Sequence, residues 1–117
     1  QTRRLAYLYL RHQGQTAIRR RPAGDIWQGL WEPVLLADTM ATQLPLPEKT
    51  AAQLRSEAIL LRQEVKHVLT HRILLADFYF LSTAQRPQLP AEYIWIPEEQ
   101  LGQYALPRLI ENLLAAL

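Results

Sequence analysis

Short runs of apolar residues, separated by turn-forming residues, organise the first third of the chain. The runs RLAYLYLR at 4–11 and TAIRRRP at 16–22 have the composition of β-strands, and HQGQ at 12–15 is typical of a turn. Together they predict a hairpin. A loop containing glycine and tryptophan, PAGDIWQGLW at 22–31, leads to a third apolar run, PVLLA at 33–37.

The segment from Glu48 to Leu61 changes to helical spacing. Its apolar positions are Ala51, Leu54, Ala58 and Leu61. This spacing predicts a helix on the domain surface. Two strands are expected next, ending near Phe80 to Leu81, and YIWI at 93–96 predicts a further short strand closed by Pro97. Glu98 and Glu99 then suit the first turn of a short helix, because carboxylates are favoured at its positive end.

The C-terminal segment has the clearest periodicity. Its apolar positions are Leu106, Leu109, Ile110, Leu113, Leu114 and Leu117. They recur as on one face of a helix, and Pro107 fits a first-turn position. We therefore expect an amphipathic helix that docks on a sheet. Several strands interleaved with two longer helices predict an α+β domain.

Composition fits one globular domain over residues 1–117, with 49% hydrophobic and 21% charged residues. No apolar run approaches the roughly 20 residues of a membrane span, so we expect a soluble protein. The chain begins QTRRLAYLYL, without methionine or a signal pattern, as an excised domain would. Cysteine is absent, which excludes disulfides and thiolate metal sites in this chain.

The net charge of +2 is small, but the cations are unevenly placed. Residues 1–24 contain no acid and six arginines, namely Arg3, Arg4, Arg11, Arg19, Arg20 and Arg21. A solvated strand face is the common explanation for such a run. A surface that contacts phosphate becomes the better one only if a second feature points to nucleic acid.

The stretch KHVLTHRILLADFYF at 66–80 places two histidines in a β-rich run. In a strand, His67, Leu69 and His71 would point to the same side. Such a row can bind a metal, a nucleic-acid base or solvent. Zinc sites need three or four well-placed ligands, and no spacing in this chain supplies them, so we predict no metal site.

Catalytic motifs are missing as well. Neither Ser56 nor Ser82 lies in a nucleophile elbow, and there is no glycine-rich phosphate loop. The element order is similar to that of the Nudix hydrolases, whose G-x5-E-x7-R-E-x2-E-E-x-G motif binds magnesium. After Gly29 this chain has neither the paired glutamates nor the closing glycine. Without that cluster a divalent cation lacks its ligands, and we predict no catalytic residue.

Three segments in order resemble one family: GLWE at 29–32, HVLTH at 67–71 and WIPEEQLGQYALPRLIENLL at 95–114. They are similar to the C-terminal domain of MutY-type A/G-specific adenine DNA glycosylases, across nearly the whole chain. The resemblance implies a Nudix-like fold, a mixed β-sheet with flanking helices that lacks the catalytic box. It also implies that residues 1–117 are the C-terminal part of a longer chain.

In that family the domain helps recognise 8-oxoguanine opposite adenine through a Phe-Ser-His loop between two strands. Leu69, Thr70 and His71 occupy these positions here. Thr70 keeps a hydroxyl for N7–H or O8 of the lesion, and His71 keeps an imidazole. Leu69 lacks the ring and would act as an aliphatic wedge. His67 is expected to be a structural strand residue bonded to backbone.

Phosphate contacts are expected from Lys66 and Arg72, which flank this loop, and more weakly from Arg19, Arg20 and Arg21. Trp27, Trp31 and Trp95 are expected to anchor loops or core rather than stack on bases.

The resemblance further implies partners and cofactors outside these residues. The partners are double-stranded DNA with an 8-oxoguanine:adenine pair and an N-terminal glycosylase domain. The [4Fe-4S] cluster and catalytic carboxylates belong to that domain; no cofactor is expected in this one. Location would be the bacterial cytoplasm, on the nucleoid. Two alternatives stay open, a degenerate Nudix hydrolase and a protein-interaction module that uses exposed strand edges and the basic hairpin.

Overall fold

The first strand of the chain organises the sheet in the computed structural model, which describes residues 1–117. This strand, β1 (Thr2–His12), pairs in parallel with β6 (Arg72–Ser82) along its whole length. Two antiparallel strands pair with different parts of its other edge, β4 (Val34–Asp38) and β2 (Gln15–Arg20). The antiparallel strand β5 (Ile59–Leu69) extends the sheet beyond β6 and forms its edge.

The predicted N-terminal hairpin is confirmed, with a tight turn at Gln13 and Gly14. Both residues have positive φ, 48° and 76°, the backbone that a two-residue hairpin turn with the strands' own twist requires. Strand β2 pairs with β1 only at their joined ends and then diverges. It continues between β3 (Trp31–Glu32) and β7 (Tyr93–Pro97), which leaves room for β4 beside β1.

The surface helix begins where the sequence predicts but ends earlier. Helix α1 spans Glu48–Glu57, with Ala51 and Leu54 buried. The prediction that it reaches Leu61 is wrong, because β5 already starts at Ile59 and pairs with β6. Backbone pairing therefore overrides the helical spacing of the last apolar residues. Glu98 and Glu99 open a 3₁₀ helix, Glu98–Gln103.

Both faces of the sheet are covered over part of their length. Helix α2 (Arg108–Leu114) buries Leu109, Ile110 and Leu113 against one face, which we call the α2 face. It is shorter than the predicted 106–117. Helix α1 packs on the opposite face. Full burial of one such leucine stabilises the fold by about 1.5–3 kcal/mol. The α+β prediction of a mixed sheet with flanking helices is confirmed. No helix is long and apolar enough to cross a membrane.

Candidate nucleic-acid interface

The stretch between β5 and β6 is a two-residue turn formed by Thr70 and His71. Leu69 pairs with Arg72 across it, and both turn residues are exposed. His71 therefore lies outside the strand, and the expected row with His67 and Leu69 does not form. The strand periodicity fails here because the chain reverses one residue after Leu69. The turn carries an imidazole and a hydroxyl into solvent.

Leu69 differs from its two neighbours. It is half-buried on the α2 face and packs against the core cluster there. The part of Leu69 that packs on the core is not free to act as a wedge between bases, and this role stays a prediction. Thr70 and His71 are the exposed residues of the hairpin tip.

His67 lies on the α2 face as well. Its strand position is confirmed, but its neighbour is an aromatic ring instead of the expected backbone hydrogen bond. The imidazole meets Trp27 edge to face, with 6.3 Å between ring centroids. The other two tryptophans have similar intramolecular partners: Trp31 meets Tyr104, and Trp95 meets His12. All three indoles are half-buried, as expected of structural anchors.

Lys66 and Arg72 lie on opposite faces of the hairpin. Residues directly opposed across a ladder share a face, and Lys66 is opposed to Leu75 while Arg72 is opposed to Leu69. Lys66 therefore lies away from helix α2, on a part of the sheet that α1 does not reach. We call this region the open face. Its members are Thr2, Arg4, Lys66, Val68, Ile73 and Leu75. A single phosphate cannot contact both cations.

The structure does not place Arg19 and Arg21 on the open surface, where the expected phosphate contacts would lie. Both are buried, and both form ion pairs with Glu32. Only Arg20 is exposed, where its Nε–H donates to the carbonyl oxygen of Gly29 at 3.1 Å. The run of three arginines is therefore mostly internal, because Arg19 and Arg21 both point towards Glu32 while Arg20 between them points outward.

These two arginines belong to a buried ionic network that sequence reasoning missed. Arg3 binds Asp25 at 2.7 Å and Asp38 at 2.6 Å, and Arg21 also binds Asp25 at 2.6 Å. Glu32 is fully buried and accepts hydrogen bonds from Arg19, Arg21 and Tyr7. The network holds three guanidinium groups and the three carboxylates of Asp25, Asp38 and Glu32, and the half-exposed Glu92 lies 3.6 Å from Arg19 at its rim. The available signal was the strand period, which places Arg3 on the face of Leu5 and Tyr7.

The network shifts the pKa of its acidic members in opposite directions. The hydrogen bond from Arg3 is the main cause that lowers the pKa of Asp25 well below its usual range. Burial raises the pKa of Glu32, although Arg21 and Arg19 oppose this shift. Burial also raises the pKa of Tyr7 far above normal. Ion pairing thus dominates at the network's surface and desolvation at its centre.

A cavity of about 460 Å³ opens onto this network. We call it the charged cavity, and its charged lining residues are Arg3, Arg19, Arg21, Asp25, Asp38 and Arg72. Arg72 follows His71 directly, so one wall of the cavity begins at the hairpin tip. Loop residues 40–43 also line the cavity.

A divalent cation does not fit the residues of helix α1. Its carboxylates, Glu48 and Glu57, stand at opposite ends, about 13 Å apart along the axis. Glu57 accepts a hydrogen bond from Gln53 one turn earlier. No group of three or more histidines, cysteines or acids in the structure is arranged to hold a metal ion. The helix therefore offers no site for metal-dependent hydrolysis.

Comparisons with known proteins agree on the architecture. A family model described as NUDIX domain matches residues 6–116. The C-terminal domain of mouse MUTYH, solved in complex with human PCNA, superposes with a TM-score of 0.74 at 16% identity, covering 97% of this chain and 86% of that one. None of the curated proteins matches the sequence.

Two MutT structures superpose as well. The MutT NUDIX hydrolase of Burkholderia pseudomallei gives a TM-score of 0.67 at 17% identity, covering 100% of this chain and 98% of that one. The MutT protein of Methanosarcina mazei gives 0.63 at 19% identity, with coverage of 97% and 91%. Likenesses at such low identity establish the fold.

Proposed function

Because the chain belongs to the NUDIX domain family, we propose that it is the lesion-recognition domain of an A/G-specific adenine DNA glycosylase. In this proposal it helps recognise 8-oxoguanine opposite adenine in double-stranded DNA. An N-terminal domain supplies adenine excision and the [4Fe-4S] cluster. The observation that carries the proposal is an exposed Thr70–His71 turn on a NUDIX sheet whose helix α1 lacks a carboxylate cluster.

The turn has the chemistry that the lesion requires. In 8-oxoguanine N7 becomes a donor and an oxygen replaces C8–H, so the difference from guanine lies at one edge of the base. The Thr70 hydroxyl can accept from N7–H or donate to O8, and the His71 imidazole can bond a base edge or a phosphate. Both side chains are exposed at the end of a long, paired hairpin, which limits the entropy lost on binding.

The test is adenine excision by the full-length enzyme on matched duplexes. Thr70→Ala combined with His71→Ala should reduce the preference for 8-oxoguanine:adenine over guanine:adenine by roughly tenfold, since one base-edge contact is worth about 1–3 kcal/mol. Lys66→Ala on the open face should weaken binding to both duplexes equally and reduce the dependence of that binding on salt concentration.

The control is Gln13→Asn in the β1–β2 turn. Strand β1 runs from the hairpin tip to this turn, so Gln13 lies at the opposite end of the sheet, and we expect no effect there. Wild-type preference in the double variant would contradict the proposal, as would loss of preference in Lys66→Ala.

A protein-interaction module is a second candidate, favoured by the start of β5. Ile59, Leu60 and Leu61 are consecutive and expose 63%, 42% and 37% of their surface on an edge strand. A run of three exposed apolar residues is avoided unless it has a function, and edge strands are templates for another chain. The mouse domain with a similar fold was solved with PCNA bound. The two functions are compatible, because this segment lies away from the Thr70–His71 turn.

A further inference from the structure

One cation at the charged cavity lacks a counter-charge. Arg3, Arg19 and Arg21 are matched by Asp25, Asp38 and Glu32, as the ion pairs show. Arg72 is the fourth guanidinium at the lining and takes part in none of these pairs. Its Nε is buried and has no hydrogen-bond partner. Arg72 therefore brings to the cavity a positive charge without an ion-pair partner, beside the hairpin tip.

Such an arrangement is unfavourable when the cavity holds only water at its mouth. A buried donor without an acceptor destabilises a fold, and a buried charge without a partner does so more strongly. Arg72 is half-buried and its Nε is the donor that lacks an acceptor. An anion that accepts from this Nε–H would remove that penalty and pair the charge. Arginine suits this role because its planar donors bind the oxygens of phosphate or carboxylate in pairs.

We propose that the charged cavity is a phosphate-binding site with Arg72 as its main ligand. Thr42 and Gln43 also line the cavity and offer uncharged polar groups. The two aspartates of the lining do not repel the anion strongly, because Arg3 and Arg21 already neutralise them. A volume of about 460 Å³ lies within the range of small-ligand sites and admits a phosphate with its attached sugar.

The phosphate can belong to a free nucleotide or to the backbone of bound DNA. Arg72 follows His71, so a duplex read by the turn would bring a backbone phosphate near the cavity. The DNA source of the phosphate rests on the proposed function. The choice of phosphate over carboxylate rests on the closeness of the cavity to the Thr70–His71 turn. Binding of inorganic phosphate by the chain can be measured whether or not the chain binds DNA.

The first experiment is thermal unfolding of the chain in sodium phosphate and in sodium chloride of equal ionic strength. Phosphate should raise the Tm by several degrees, because a ligand that binds only the folded state stabilises it. Arg72→Gln should abolish this shift, and Arg72→Lys should weaken phosphate binding by roughly tenfold because it keeps the charge and loses the paired donors. Arg108→Gln is the matched control, an exposed arginine on α2 outside the cavity, and should keep the shift.

The change in Tm that Arg72→Gln causes in sodium chloride alone provides a second criterion. The substitution removes a charge without an ion-pair partner, so the variant should unfold at the same temperature as the parent or higher. If it unfolds at a lower temperature in chloride, Arg72 is a structural residue and the proposal is wrong. Equal Tm values for the parent in the two salts would overturn it as well.

Calorimetric titrations then identify the source of the phosphate. Binding of dGMP that falls about tenfold in Arg72→Gln assigns the site to free nucleotides. The same loss with an unmodified 12-base-pair duplex assigns it to the DNA backbone, and either result supports the site. Lesion preference is measured separately with the Thr70 and His71 variant, so the proposed function can fail while the phosphate site stands, or the reverse.

Discussion

Replacing Glu32 by glutamine should be among the most damaging single changes to this fold. Glu32 is fully buried and accepts from Arg19 at 2.9 Å, from Arg21 at 3.3 Å and from the Tyr7 hydroxyl. The amide nitrogen of Glu32→Gln would face donors, and two buried guanidiniums would lose their shared carboxylate. Breaking a buried ion pair from one side costs about 3–5 kcal/mol.

The structure places the expected value at the lower end of that range. Arg21 keeps Asp25 at 2.6 Å, and Arg19 keeps only the half-exposed Glu92 at 3.6 Å. Burial also raises the pKa of Glu32, which means that desolvation of its carboxylate outweighs the attraction of the arginines, so the loss comes mainly from the guanidiniums left without it. We therefore expect Glu32→Gln to lower the free energy of unfolding by about 3 kcal/mol.

Urea unfolding at pH 7 measures this loss. With a slope of about 1.5 kcal/mol per molar urea, the midpoint should fall by about 2 M at unchanged slope. The control is Glu64→Gln, which removes an equally short pair, Arg4 with Glu64 at 2.8 Å, whose side chains are more than half exposed. Exposed pairs contribute about 0–1 kcal/mol. If the two variants lose the same free energy of unfolding, burial is not the reason why the network stabilises the fold.

Two further predictions concern acid stability and partner binding. The pKa of Asp25 is lowered in the fold from its ordinary value of 3.8. Its ionised form therefore stabilises the fold above pH 3.8, and this stabilisation is lost as the pH falls below 3.8. Between about pH 5 and pH 2 the free energy of unfolding should fall less steeply in Asp25→Asn than in the parent, and parallel curves would contradict the ion-pair assignment. If the start of β5 docks a partner like the one bound to the mouse domain, human PCNA, Leu60→Ser should weaken that association by at least tenfold in surface plasmon resonance and leave lesion preference unchanged. Equal binding of both forms would exclude this use of Leu60, and binding of neither form would exclude PCNA as the partner.

Local signals in the sequence predicted most of the elements. The HQGQ turn, the apolar spacing after Glu48 and the leucines of the C-terminal segment each specify structure within about one to three turns of chain. Local pattern alone does not predict the Thr70–His71 turn, because neither residue is a strong turn former and the flanking residues have a strand-like composition. Its position follows from the pairing of β5 with β6, which is a tertiary fact.

The buried network illustrates what a single sequence leaves open. Asp38 lies 35 residues from Arg3, and Asp25 lies 22 residues from it. No local pattern pairs groups at such distances, so a run of arginines with no neighbouring acid looked like a solvated face. The fold brings the acids in from the loop after β2 and from the end of β4. Strand alternation predicts an inward-facing side chain only for Arg3, which shares a strand face with Leu5 and Tyr7.

The parallel ladder between β1 and β6 has a consequence for the order of events during synthesis. Strands β2 and β4 cover one edge of β1 soon after it is made. Thr2 pairs with Ile73 on the other edge, so that edge must wait for a partner about 70 residues later. Strands β5 and β6 need only a two-residue turn, and such hairpins close within about 1–10 μs. The edge of β1 that faces β6 meanwhile has no backbone partner. We therefore expect the completion of β6 to be the step that commits the nascent chain to its fold.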